Sequence, residues 1–564
     1  MHSSRTYLAT AALALTLVLG NISLAQSQNR QVGTQYTVTA DPLVPRPSEQ
    51  PCKVQLFSGY QFAFFSESEQ TFQYTPPADC PGPWAAVVFE ADFSENAGQQ
   101  FDRTASIYLA NADIYFGTTP EPLFTLTNTW HVERDVTDYS ALLATQQPGT
   151  IVLPNCTTDC PPPYNTLLNG IFTVNADLEF YPLKNRGQAR PDAVMPLLQP
   201  NGSGGYNLPG FVYTPTDQLT TTFTLPTNIE QAYLDVVTQG QQNDEFWYSC
   251  VPNDLTTELQ SCGGTAFREA EISIDGQPAG VAPVFPWIFT GGIDPFLWVP
   301  APGAQTLDLV PYRINLTPFA GLLSNGQQHT VAMNVENVNS QFSVTGTLLL
   351  FEDHGSQQVT GEVTSNTIQN PNPVVTTKLQ VNGGNVTGTV STTSKRQFQL
   401  AGFVNTSHGK VSTFIQQSVD FNNQQSFNIN STEYVQDISQ FTPTNSAVAT
   451  QQGWSRSFSA EQFLYPLTVD INVTFPNGQT VQTTVVSQEF KNYVESPSFT
   501  GGVDNKVNAQ DTLNFNTGQN TDASSSQQYT FGDAYGQFYN CGIASKNNLL
   551  EFVSRGCNQT IRFK

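Results

Sequence analysis

Hydrophobic positions along this chain recur with period two rather than with the three-to-four spacing of an amphipathic helix. In 104–109, Ala105, Ile107 and Leu109 alternate with Thr104, Ser106 and Tyr108. In 268–275, Ala270, Ile272 and Ile274 face away from Glu269, Glu271, Ser273 and Asp275. The run LTVDINVTF at 467–475, then Asn477-Gly478, then TVQTTVVSQEF, alternates strictly on both sides of a turn pair and predicts a hairpin. Strand-like runs such as AAVVFEADFS, TASIYLANADIYF and IFTVNADLEFYP follow one another after residue 51, and QAYLDVVTQG and HTVAMNVENV belong to a second series. The expectation is an all-β protein. It comprises two jelly-roll-like β-sandwich domains, 51–184 and 205–353, followed by a third β-rich region, 374–564. Polar or Gly- and Pro-rich stretches at 184–210 and 353–373 separate them, and 511–528 reads as a loop.

Composition agrees: 38% of residues are hydrophobic and 12% charged, with 40 Gly and 37 Pro, which suits short strands and many turns. A formal net charge of −24 argues against nucleic acid or an anionic membrane as partner. Residues 1–25 read as an export signal, with Arg5, an apolar run and the small residues Ser23 and Ala25 before the cut. That run is shorter than the roughly 20 residues a membrane span needs, so the expected destination is secreted or extracellular, or periplasmic in a bacterium. A Pro-rich leader, 26–50, follows and reads as a tether. The eight cysteines fall into neighbouring pairs, Cys52 with Cys80, Cys156 with Cys160, Cys250 with Cys262 and Cys541 with Cys557. In an exported chain this favours disulfides. No CxxC occurs and His131, His329, His354 and His408 are scattered, so no metal site is expected, and no P-loop or dinucleotide fingerprint points to an organic cofactor. Nothing in the pattern sets an oligomeric state.

Signatures of nucleophilic serine, nucleotide and zinc-protease chemistry are missing. Carboxylates and aromatics remain, in FDR at 101–103, NDEFWYS at 243–249 and FREAEISIDG at 267–276. Asp244 and Glu245 beside Phe246, Trp247 and Tyr248 combine acids with flat apolar surface, a mixture that suits sugar. The same segment also reads as a strand with core aromatics and solvated acids. Asp102-Arg103 reads equally as a surface ion pair at a strand start. Arg268 shares the face of Ala270 and Ile272, so its charge must be paired or lie at the wet end of the strand.

The run GQQFDRTASIYLANADIYFGTTPEP at 98–122, then WHVERDVTDYSALL, NDEFWYS, FREAEISIDGQPAG and PVFPWIFTGGIDPFLWVP at 283–300, resembles the acidic peptide-N-glycanase A family in motif order. These are peptide-N4-(N-acetyl-β-glucosaminyl)asparagine amidases. The resemblance extends distantly to the flavobacterial peptide-N-glycanase, a pair of jelly rolls with its active site at their interface. Phe101-Asp102-Arg103 stands where that enzyme has Trp-Asp-Arg, so the resemblance implies a principal catalytic role for Asp102. Gly264 falls where its second catalytic Glu would be, which leaves Glu245 and Glu269 as alternatives. Arg103, Glu121, Asp244, Trp247, Arg268 and Trp287 are the candidate substrate contacts, with the two tryptophans as stacking surface. The implied activity is hydrolysis of the Asn side-chain amide to the first GlcNAc of N-glycosylated peptides or glycoproteins, at acidic pH. A glycoside hydrolase and a non-catalytic glycan-binding β protein are the alternatives.

Overall fold

The computed structural model describes residues 30–121, 125–183, 189–199, 208–559 and 561. The export signal read at 1–25 lies outside the described residues, as do 184–188 and 200–207 of the first linker. Strands carry the fold, as the period-two pattern requires. Among the described residues the α-helical segments are single turns, Ser140–Leu143, Thr256–Leu259 and Ala320–Leu323, and no helix is long and apolar enough to cross a membrane.

Residues 52–182 form two four-stranded sheets. One runs Cys52–Phe62, Phe172–Pro182, Trp84–Glu95, Asn128–Asp135, and the other Glu69–Tyr74, Gln147–Val152, Thr104–Leu109, Ala112–Thr118. In chain order the strands lie 1-8-3-6 opposite 2-7-4-5, a jelly roll. The faces that meet bury Phe89, Phe93, Ile107, Leu109, Ile114 and Leu178 in one core. The second unit repeats the order. Gly210–Val212, Gln341–Glu352, Ile229–Gln241 and Tyr312–Asn315 make one sheet, and Leu219–Thr224, Gln328–Val335, Glu269–Ile274 and Gln277–Pro283 the other. A further strand, Ala193–Pro196, pairs with Thr347, Leu348, Leu349 and Leu350 of this unit, well ahead of the start at 205 read from the pattern.

The third region is a single eleven-stranded antiparallel sheet, with strands as long as the 22 residues of Asn385–Thr406. The hairpin around Asn477-Gly478 forms as expected, with φ of 52° and 77° at the two turn residues. Segment 511–528 is corrected from loop to strand. It supplies the ends of Thr500–Asn514 and Gln519–Asp533, whose buried face includes Ser525 and Gln527 and so leaves no hydrophobic alternation to read. The polar 353–373 stretch also carries a strand, Thr360–Asn366, at the edge of this sheet. From residue 30 on, the leader is a packed strap rather than a tether. Val38 and Ala40 are buried against Tyr539 and Cys541, and Arg46 is paired with Glu90, Glu133 and Glu179 of the first jelly roll. The four neighbouring cysteine pairs are all bonded.

One face of the large sheet packs on the second jelly roll. Leu400, Ile415, Phe421, Tyr465 and Phe490 share a core with Trp247, Phe267 and Phe285. Between these apolar contacts the sheet projects buried amides onto loop backbone. Asn423 donates to Tyr248 O, Gln425 to Cys250 O, Gln436 to Ser249 O and Gln482 to Ile293 O. Gln488 both accepts from Ala304 N at 2.8 Å and donates to Pro286 O at 2.7 Å. Buried backbone groups need such partners, and losing one costs about 1–3 kcal/mol. Gln488→Leu should therefore lower the unfolding free energy by about 2–4 kcal/mol, since two backbone groups lose partners at once. Chemical denaturation measures this, and an unchanged curve would show that the amides are dispensable.

Candidate active site

Register assembles the first half of the site. Thr104 pairs with Thr118 on the adjacent strand, and the pairing continues past both strand ends, because Thr119 N donates to Arg103 O and Arg103 N donates to Thr119 Oγ1. Asp102, just before one strand, and Glu121, just after its antiparallel neighbour, are thereby brought side by side. The second jelly roll supplies the rest from two loops, one after Ile229–Gln241 carrying Glu245 and one between Gln277–Pro283 and Tyr312–Asn315 carrying Gly291. The two units are joined around this point by Gln241 donating to Thr104 Oγ1 and by Thr290 donating to Thr119 O.

Gly291 N donates to Asp102 Oδ2 at 3.1 Å. A Cβ at Gly291 would lie 2.1 Å from Glu121 Oε2 and 3.1 Å from Asp102 Oδ1, so only glycine lets both carboxyls converge on that backbone. Burial raises the Asp102 pKa above its ordinary value, opposed by the Gly291 N–H and by Arg103. Burial also raises Glu121 well above its usual range, and the Asp102 charge adds to this. Glu245 is pushed up to about 8 by burial and then by Asp102. Behind them Glu95, fully buried with no hydrogen bond to either carboxyl oxygen, is pushed up to about 9 by burial and by Glu121. Arg103 is the cation that acts on Asp102, Glu121 and Glu95 together. Its Nη2 donates to Gln100 Oε1 at 2.6 Å, and Gln100 is itself anchored to Cys156 O, beside the Cys156–Cys160 disulfide.

Of the two glutamates proposed as partner to Asp102, Glu245 is the one within its electrostatic reach. Glu269 is held instead by Arg396 of the large sheet, which also binds Glu271. Asp244 and Arg268 are likewise committed to other partners. They form a fully buried ion pair, Arg268 Nη2 to Asp244 Oδ1 at 2.6 Å, and the Asp244 carboxylate also accepts from the backbone N–H of Asn339, Ser340 and Gln341. This pair fixes the turn on which Glu245 stands. Trp247 and Trp287, read as stacking surface, are 1% and 6% exposed. Trp247 packs against Phe421, and Trp287 Nε1 donates to Thr238 O, so both are core residues.

The exposed aromatic surface beside Asp102 comes instead from Phe101 and from Tyr164, which is 42% exposed with its ring 5.5 Å from that of Phe101. Tyr164 escaped the sequence reading because it lies in a Pro-rich loop without alternation. Glu95, Gln100, Gly291 and Asp294 escaped it too, the first because it ends an apolar strand like any edge acid. Asp294 shares a buried carboxyl pair with Asp511 of the large sheet, and burial together with that neighbour raises its pKa. Among the described residues, two groups of potential metal ligands, Glu90, His131 and Glu133, and Glu230, Asp353 and His408, lie outside this site. In the first, Arg46 already binds both glutamates.

The family profile described as peptide N-acetyl-β-D-glucosaminyl asparaginase amidase A matches residues 42–369. The chain is 30% identical over 391 residues to peptide-N4-(N-acetyl-β-glucosaminyl)asparagine amidase A of Prunus dulcis, the match spanning 65% of each protein. Among solved structures it is similar to PNGase F, a glycosylasparaginase from Flavobacterium meningosepticum, at 16% identity and a TM-score of 0.37, covering 54% of this chain and 96% of that one. A second similar structure is PNGF-II, at 14% identity and a TM-score of 0.36, covering 54% and 66% respectively.

The buried Glu95 has a consequence for stability. Its carboxyl titrates at its ordinary 4.5 when unfolded and near 9 when folded. Between those values the native state binds the extra proton, so wild-type stability falls as pH rises. Glu95→Gln keeps the shape and removes that dependence. Its unfolding free energy relative to wild type should rise with pH across this window, by at most about 1.4 kcal/mol per pH unit. Parallel stability curves from pH 5 to 8 would contradict the assignment.

Proposed function

The chain belongs to the peptide N-acetyl-β-D-glucosaminyl asparaginase amidase A family, and from this premise we propose that it is an exported amidase that releases N-glycans. It would hydrolyse the bond between the Asn side-chain amide and the first GlcNAc of a glycopeptide or glycoprotein, leaving Asp and a glycosylamine. The observation that carries this reading is the convergence of Asp102, Glu121 and the Gly291 backbone, with Glu245 close by. Export rests on the 1–25 segment, and the acidic working range rests on the protonation states described next.

An amide is a poor electrophile and its nitrogen a poor leaving group, so water must be activated and the nitrogen protonated. Asp102, held through Oδ2 by Gly291 N–H, has its other oxygen available to take a proton from water. The water oxygen bonds to the amide carbon as the C–N bond breaks. Neutral Glu245 gives its proton to the departing nitrogen, and solvent carries the proton on Asp102 back to Glu245. Glu121, also neutral, binds sugar or amide oxygen. Arg103 stabilises the Asp102 anion, and Phe101 with Tyr164 offers the sugar an apolar face.

These roles need Asp102 ionised and Glu245 protonated at the same time. Raising pH first ionises Asp102, above its ordinary 3.8, and activity rises; it then removes the Glu245 proton near 8, and activity falls. Glu245→Gln should lower kcat by about 100-fold or more and abolish the alkaline limb of the kcat/KM profile. An unaltered limb would remove Glu245 from proton donation.

The direct test is an N-glycopeptide incubated in heavy-oxygen water at mildly acidic pH, with both products analysed by mass spectrometry. The expected products are a peptide with Asn converted to Asp, carrying the label, and the intact glycan. Sugar left on Asn would indicate a glycoside hydrolase, and binding without cleavage a lectin; either would overturn the proposal. Asp102→Asn should reduce kcat/KM by at least about 100-fold, and full turnover would contradict the role of Asp102.

A further inference from the structure

The large sheet has a second face, opposite to the one packed on the jelly rolls, and across it lies an open groove of about 1010 Å³. Its floor follows a row of directly paired residues on successive strands. Gln397 pairs with Ser418, Ser418 with Asn445, Asn445 with Gln462, Gln462 with Tyr493, and Tyr493 with Gly502. Side chains paired in this way share one face. At interstrand spacings of roughly 4.8 Å this row of six runs for about 24 Å. The adjacent row on the same face contains Ala447 paired with Ala460, and these small residues give the groove depth.

The chemistry of the lining is specific. Its polar side chains are chiefly amides and hydroxyls, with Glu495 and Asp504 as its acids and no Lys or Arg among the described lining residues; Glu461, at its edge, turns its carboxyl to the packed face, where it accepts from Asn492. Gln462 Nε2 donates to Asn445 Oδ1 at 2.7 Å, which leaves the Asn445 amide N–H groups and the Gln462 carbonyl free to bond outward. Tyr493 is 42% exposed. A Cβ at Gly502 would lie 2.3 Å from Tyr493 Cδ1, so the ring rests over the glycine and turns its other face to the groove.

We propose that this groove is a second, non-catalytic binding site for a neutral oligosaccharide. Sugar hydroxyls both donate and accept, as do amide and hydroxyl side chains, and the C–H face of a pyranose stacks on an exposed tyrosine. An anionic ligand meets acids here, and the neighbouring cation, Lys491, is already taken by Asp504 and Glu489, each at 3.1 Å. An added peptide strand has no free backbone to pair with, because the groove lies on the sheet's face, between strands already paired on both sides. The groove's length suits a chain of several sugars rather than a single one. This goes beyond the proposed amidase activity and would let the protein hold a glycan at a point separate from the one it cleaves.

The test uses the full chain and free glycans that carry no Asn, so that it reads independently of hydrolysis. A mannose-rich N-glycan and a chitooligosaccharide are titrated by calorimetry and by saturation-transfer NMR against wild type, Tyr493→Ala, Tyr493→Phe and Gln462→Ala. At least one glycan should bind, with Tyr493→Ala and Gln462→Ala each weakening it about tenfold and Tyr493→Phe retaining affinity. Turnover of a small glycopeptide should be the same in all four proteins. Absence of saturable binding up to about 10 mM glycan, or binding unchanged in both alanine variants, would overturn the proposal. If no glycopeptide is cleaved but the glycan binds with this pattern, the groove stands and the amidase reading fails.

Discussion

Four carboxyl groups, Glu95, Asp102, Glu121 and Glu245, occupy a partly dry space with Arg103 as the cation shared among the first three. They cannot all be charged: each ionisation opposes the next, and burial disfavours every one. Asp102 is the member best placed to carry the charge, because it accepts the Gly291 N–H and adjoins the guanidinium. Glu245 and Glu95 then hold protons far above the usual carboxyl range. An ionised carboxylate and a neutral carboxylic acid close together at the same pH is the division of labour that the proposed amide hydrolysis would use.

The fold imposes this crowding from several directions. Antiparallel register in the first jelly roll sets Asp102 beside Glu121. The buried Asp244–Arg268 pair and the Cys250–Cys262 disulfide fix the turn that presents Glu245. Gly291 is the point at which a side chain would fill the gap. The large sheet contributes no group to the carboxyl cluster, yet its buried amides bind the backbone at residues 248–250, 286, 293 and 304, in the loops that carry the second half of the site. Its role toward the site is that of a brace.

Much of this was legible in the chain. Alternation in 104–109, 268–275 and 467–475 marked the strands, and the neighbouring cysteines marked the disulfides. Asp102 was singled out by its motif, and Glu245 as one of two alternatives. What the pattern could not resolve was which polar residues face inward. Amides such as Asn423, Gln425 and Gln488, and Ser525 with Gln527, are buried on a sheet face that is polar in sequence. Conversely, Trp247 and Trp287 resemble a sugar platform in a sequence, whereas packing on Phe421 and Phe285 takes both into the core. Arg268 and Glu269 are adjacent in sequence but are claimed by different partners, Asp244 and Arg396, because successive side chains on a strand point to opposite faces. Long-range pairing of this kind leaves no local signal.

The proposed chemistry depends most directly on which carboxyls hold protons. Infrared difference titration of the intact protein, with Glu95→Gln and Glu245→Gln used to assign bands, reads that state without any substrate. The expected result is a set of protonated carboxyl bands that persist through pH 6, among them one lost in Glu245→Gln that disappears near 8 in wild type and one lost in Glu95→Gln that disappears near 9. Loss of these two bands near the ordinary glutamate value of 4.5 would contradict it, since Glu245 would then hold no proton to donate at the pH where the proposed base, Asp102, is ionised.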